Sequence, residues 1–254
     1  MKKAWPIFLF LAVLLFCLGL FQQWALPRAH AGDSSGIPAP HTAPKAADTS
    51  VLPKEAGMGP QVDKSAWELI LVNAQHVLEE EYPVELESVE GYQFDRRASG
   101  ALRGMIEAAR TDEVELILIS TYRSFEKSAW NFNEKVKALQ AQGMPPGQAE
   151  AEAQRWVALP GMSEHNTGLA LDVVSSDYFD VYGRALETAF EGYRGFRWLY
   201  EHCAEHGFIL RYPKGKERVT GIHYEPWHYR YVGPEHAKSM MEQGITLEEY
   251  LSEG

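Results

Sequence analysis

Cysteine is almost missing from this chain of 254 residues, with Cys17 and Cys203 the only two. Cys17 falls in an apolar N-terminal run, so the rest of the chain has a single thiol and no internal disulfide. If exported, such a domain must fold on its core alone or with the help of a bound metal. Basic residues are also scarce, 24 Lys and Arg against 35 Asp and Glu. Setting aside residues 1–31, which carry Lys2, Lys3 and Arg28 and no acid, leaves 21 against 35, a formal charge of −14. Clustered cations bind a phosphate backbone, so nucleic acid is not an expected partner. No internal repeat is visible, which sets aside solenoids and propellers.

What is present is 45% apolar and 12% aromatic residues, enough for one sizeable core. The chain opens with "MKK" and runs without charge from Ala4 to Phe21, and Ala29-His30-Ala31 has the small-x-small form of a cleavage site. Residues 1–31 therefore read as a signal peptide or an N-terminal membrane anchor, two readings the sequence leaves open. Phe16 before Cys17 is too bulky for a lipoprotein cleavage site. Residues 32–62, rich in Pro, Ala, Gly and Ser and without periodicity, read as a flexible linker, and 63–254 as the folded domain.

Within that domain the spacing predicts a strand in "WELILVN", with a helix running on through "AQHVLEEEY" as its competitor. It predicts a helix after Asp95 bearing Leu102, Met105, Ile106 and Ala109 on one face, and a buried strand in "VELILIS". Helices follow over 124–142, with Ser124 as cap, and over 148–156. A strand is expected in "SEHNTGLALDVV", a helix in "YRGFRWLYEHCAEHG" stopped by Gly207, and strands in "FILRYP" and "HYEPWHYRYVG". This mixture without a βαβ rhythm predicts an α+β fold with an antiparallel sheet.

The chemistry concentrates in three segments. "SEHNTGLALD" sets His165 and Asp172 across a Thr-Gly pair, which serves either a metal or a turn. "YEPWHYRYVG" sets Glu225 and His228 three apart, and in a regular strand such residues point to opposite faces. Pro226 between them marks an edge, a bulge or a kink, any of which could bring both to one face. A hydrolytic zinc takes three protein ligands and leaves a place for water, so His165, Asp172 and His228 make a His-Asp-His set. Glu225 is then spare as general base. Arg123, at the end of the "VELILIS" strand, is placed to stabilise an oxyanion.

Together "STYRS", "SEHNTGLALDV" and "GFILRYPKGKERVTGIHYEPWHYRYVG" resemble the VanY-like zinc D-alanyl-D-alanine carboxypeptidases of bacterial cell walls, from about Trp67 to Gly233. The resemblance implies that His165, Asp172 and His228 bind Zn2+, that Glu225 is the base, that Arg123 stabilises the transition state, and that Ser163 helps hold the substrate's terminal carboxylate. It implies helices packed on a central antiparallel sheet with the zinc site on its open face. The substrate would be a peptidoglycan stem peptide met outside the cytoplasm, at the cell wall. The same pattern serves enzymes that trim a pentapeptide or a tetrapeptide, so the leaving D-alanine is better supported than the bond before it.

Three other readings compete. "HCAEH", His202 to His206, fits the H-x-x-E-H form of inverted zinc peptidases, although Gly207 ends the helix at once and no distant glutamate completes the set. Cys203 invites a thiol nucleophile but reads as a small core residue, and His223 reads as a groove or surface histidine. A wall-binding module with a closed structural zinc needs a fourth ligand, and only Glu225, in the base position, is available.

Overall fold

The computed structural model describes residues 63 and 65–252, so the signal or anchor expected at 1–31 and the linker expected at 32–62 lie outside the described residues. Its first two strands form a hairpin, β1 (Leu86–Val89) and β2 (Tyr92–Asp95), turned by Glu90 and Gly91 with φ of 49° and 83°. Positive φ at both turn positions matches the twist of the flanking strands. Asp95 then caps α1 (Arg96–Thr111), accepting from the Arg97 N–H at 2.8 Å, as expected from the sequence. Ala98, Leu102, Met105, Ile106 and Ala109 form the buried face of α1. β3 (Leu116–Ser120) follows, and Ser124 caps α2 (Phe125–Ala141) through the Lys127 N–H at 3.2 Å.

α3 (Pro146–Ala153) starts two residues earlier than its spacing suggested, because a proline is tolerated in the first helical turn, and it pairs with α2 through Val136, Leu139, Ala149 and Ala153. β4 (Ala170–Ser175), α4 (Ser176–Tyr182) and α5 (Arg194–His202) come next, and a 3-10 turn over Cys203–His206 stops at Gly207 with φ of 83°. β5 (Phe208–Leu210), the short α6 (Glu217–Thr220), β6 (His228–Tyr231), α7 (Pro234–Gln243) and α8 (Leu247–Ser252) complete the order. Among the described residues no helix is long and apolar enough to cross a membrane.

The main sheet runs β3-β4-β6-β5 with every neighbour antiparallel. Alternation along its strands divides it into two faces. Leu171, Val173, Phe208, Leu210 and Tyr229 join Leu102, Met105 and Ile106 of α1 and Trp198, Leu199 and Cys203 in the main core. Asp172, His228 and Arg230 point to the other face, where the chemistry collects. The antiparallel sheet with helices packed against it is the α+β architecture expected from the sequence.

Three expected strands are corrected. "WELILVN" forms a 3-10 turn over Trp67–Leu69 and then irregular chain, although Leu69 and Val72 are buried. Glu164–Thr167, expected as strand, is a 3-10 turn, and the strand begins only at Ala170. In "HYEPWHYRYVG" only His228–Tyr231 is strand.

Candidate metal centre

Register places the first candidate ligands. Asp172 in the middle of β4 faces Ser120 on one side and His228 on the other, so the first residue of β6 and the centre of β4 share a face at neighbouring positions. A slip of one residue would turn either side chain into the core. The His228 Nδ1 lies 3.1 Å from Asp172 Oδ1. His165 arrives from the 3-10 turn before β4, with its Nε2 3.4 Å from Asp172 Oδ2. One ligand atom from each of His165, Asp172 and His228 falls within 4.8 Å of the others, and all three residues are buried.

The donor chemistry of this group fits a cation. His165 Nδ1 sits 2.5 Å from the Thr121 carbonyl, which can only accept, so that nitrogen carries the proton and Nε2 is left with its lone pair. That Nε2 is buried and has no hydrogen-bond partner. A buried lone pair beside a carboxylate and a second imidazole is costly unless a Lewis acid shares it. The arrangement is open, with three protein ligands, as hydrolytic zinc requires.

Glu225 joins the group without a strand. Its carbonyl accepts from the His228 N–H at 3.3 Å across a turn at Pro226 and Trp227, and the Trp227 carbonyl accepts from Val173 at 2.9 Å, already in the ladder. The turn brings Glu225 Oε2 to 3.5 Å from His228 Nδ1. The expectation from Pro226 is met by a turn that precedes the strand.

The electrostatics of the metal-free site differ from residue to residue. Burial pushes Glu225 up to about 8, with Asp172 adding to it and His228 and Arg123 opposing. Burial and the Arg123 guanidinium push His165 down to about 4. Burial works against protonated His228, but the carboxylates of Asp172, Glu164 and Glu225 around it outweigh that and carry it up to about 9. Asp172 is held well below its ordinary value because the two histidines outweigh its burial.

Arg123 follows β3, where its N–H donates to the His165 carbonyl at 3.0 Å and its carbonyl accepts from Asn166 Nδ2 at 2.6 Å. Its Nε is buried without a partner, a free donor on a backbone fixed to the metal-ligand turn. Asp172 and Glu225 both act on its guanidinium charge. Ser163 is buried directly before that turn, and its carbonyl accepts from Asn166 N at 3.0 Å.

The other sequence candidates are not drawn in. His202 pairs with exposed Glu205, His206 lies over Trp198, and neither belongs to the metal group. Cys203 is a buried core residue whose thiol burial pushes up to about 12. His223 is half-buried, 3.2 Å from Glu152 and against Trp156.

The sequence reading missed Glu164, Arg211 and Arg230, all buried. Glu164 Oε1 accepts from Arg211 Nε and Arg230 Nη1, each at 2.8 Å. The available signal was an arginine inside each of two apolar strand segments, "FILRYP" and "HYRYVG", since such a charge is buried only with a partner.

A family model described as VanY, D-alanyl-D-alanine carboxypeptidase, matches residues 91–234. A D-alanyl-D-alanine carboxypeptidase of Enterococcus faecalis (strain ATCC 700802 / V583) is 40% identical over 228 residues, covering 89% of this chain and 78% of that protein. The solved structure of a mutant vancomycin resistance D,D-pentapeptidase VanY, from a VanB-type resistance cassette and in complex with Zn(II), is 43% identical with a TM-score of 0.65, covering 73% of this chain and 99% of that one. A structure of VanYB in complex with D-alanine-D-alanine is 44% identical with the same TM-score of 0.65, covering 73% and 98%. With a family match over more than half its length and a long, close relative, this chain belongs to the VanY family of D-alanyl-D-alanine carboxypeptidases.

Proposed function

We propose that this protein is a zinc-dependent carboxypeptidase that removes the C-terminal D-alanine from peptidoglycan stem peptides. The observation that carries this reading is the buried, unpartnered Nε2 of His165, its tautomer fixed by Thr121, within 4.8 Å of ligand atoms of Asp172 and His228. His165, Asp172 and His228 hold the metal. Zinc bound there would supply Lewis acidity, polarising the last peptide carbonyl and making water at the site acidic enough to lose a proton at roughly neutral pH.

The chain's own groups do the rest. Glu225 takes a proton from the attacking water and passes it to the departing amine, a role that suits a carboxyl raised by burial. Arg123, with its free buried Nε, stabilises the negative charge that develops on the carbonyl oxygen. Ser163, before the ligand turn, contributes to holding the substrate's terminal carboxylate. Stem peptides lie outside the cytoplasm, so the reading includes action at the wall, with residues 1–31 serving as export signal or membrane anchor.

The test is D-alanine release from synthetic pentapeptide and tetrapeptide stems, before chelation, after it, and after zinc is restored. Release from the pentapeptide that stops with chelator and returns with zinc is the expected result. Release from the tetrapeptide alone would move the assignment to L,D-cleavage. Release from neither, by folded and zinc-loaded protein, would point to an endopeptidase or a wall-binding module.

A further inference from the structure

Glu164 is buried between Ser163 and His165 and makes an uneven set of contacts. One oxygen, Oε1, accepts from both Arg211 and Arg230 at 2.8 Å. The other, Oε2, has no partner, and neither does His228 Nε2, which faces it at 3.8 Å. A carboxylate serving only to neutralise two guanidinium groups would share both oxygens with them. Here the donors crowd onto one oxygen, and the other is aimed at an imidazole nitrogen.

The arginines are themselves held in place. Arg211 gives its Nη1 and Nη2 to Glu248 of α8 at 2.9 and 2.6 Å, which turns its Nε to Glu164. Arg230 gives its Nη2 to the carbonyls of Glu68 and Ile70 at 2.9 and 2.8 Å, which leaves its Nη1 for Glu164. The two carboxylates and two guanidinium groups balance in charge.

We propose that Glu164 is the positioning residue of His228. Its free Oε2 faces Nε2 at 3.8 Å and draws the proton to that nitrogen, which commits the Nδ1 lone pair to the metal beside Asp172, and Glu248 keeps Arg211 from taking that oxygen. Such outer partners fix the tautomer and raise the basicity of a metal-bound histidine. The inference rests on the zinc reading of the site and extends it to a C-terminal helix outside the metal group.

The test measures zinc affinity of the full chain by competition with a chromophoric chelator at pH 7, with folding checked by circular dichroism of the metal-free proteins. Glu164→Gln presents an amide that donates to His228 Nε2 and so drives the proton onto Nδ1. Its affinity should fall roughly ten- to a hundredfold, the usual cost of losing an outer-shell partner. Glu248→Gln leaves Glu164 in place but frees Arg211 to grip both of its oxygens, and affinity should fall in the same direction. Long-range 1H–15N spectra of the zinc-loaded parent should show His228 carrying its proton on Nε2, a readout that a purely structural ion pair would not set.

Parent protein that takes up no zinc, or a His228→Ala variant that binds as tightly as the parent, would sink the zinc reading itself. Zinc-binding parent with an unchanged affinity in folded Glu164→Gln would overturn the positioning role alone. If Glu164→Gln does not fold, Glu248→Gln decides: weaker binding supports the role, and parental affinity overturns it.

Discussion

Replacing Glu225 by Gln separates the base from the metal and yields a magnitude for each. Burial pushes the Glu225 carboxyl up to about 8, so at pH 7 roughly nine in ten metal-free molecules hold it protonated. In the unfolded chain the same carboxyl titrates near 4.5 and is ionised at pH 7. The folded state therefore binds more protons between these two values, and rising pH costs it stability. At pH 7 the deficit is on the order of 3 kcal/mol, and at pH 5 it shrinks below about 1 kcal/mol. Gln reproduces the shape and neutrality of the protonated acid and has nothing to ionise when the chain unfolds.

Chelated Glu225→Gln protein should therefore be more stable than the parent by about that amount at pH 7 and nearly equal to it at pH 5, read from urea denaturation at both values. Its D-alanine release should fall roughly 10²- to 10⁴-fold, the contribution of a general base. Zinc content should stay at the parental level, because Glu225 is outside the ligand group. Equal stability at pH 7 would refute the buried, proton-bearing carboxyl, and normal turnover would refute the base. The gain in stability on losing activity is the trade expected where a site keeps a group its surroundings disfavour.

Two further outcomes test the packing around the site. Cys203, buried with its thiol raised to about 12, should escape alkylation at pH 8 in the folded protein and react once urea is added, as read by peptide mapping; modification without denaturant would contradict its place in the core. Gly161 has φ of 76°, and a Cβ there would stand 2.4 Å from the Leu78 carbonyl, whose own N–H donates to Gly161 O at 2.8 Å. Gly161→Ala should thus cost more than about 1 kcal/mol of stability, and an unchanged urea midpoint would show that the two segments do not meet as described.

The parts of the fold that were legible are those governed by nearby residues. Asp95 and Ser124 cap their helices with side chains that reach two and three residues ahead, and the apolar face of α1 repeats every turn. The candidate ligands stood out in the sequence for a different reason: two imidazoles and a carboxylate carry their chemistry wherever the chain puts them, and the structure groups them. Their arrangement was not legible, because the pairing of Asp172 with His228 is a register between segments far apart in sequence.

The strand missing at the start of the domain has a distant cause. "WELILVN" has the apolar content of a strand, and Leu69 is buried, but the carbonyls of Glu68 and Ile70 are bound by the Arg230 guanidinium. A backbone whose acceptors are satisfied by a side chain needs no neighbouring strand, and local propensity has no term for that. The donor lies 160 and 162 residues further along the chain, and the same Arg230 also reaches Glu164 across 66 residues. One buried guanidinium thus accounts both for the missing strand and for half of the clamp on the carboxylate that faces His228. An arginine within an apolar strand is therefore better read as an unpaid obligation: it predicts that a distant carboxylate or a set of free carbonyls exists, and the place to look is beside the ligands its own strand carries.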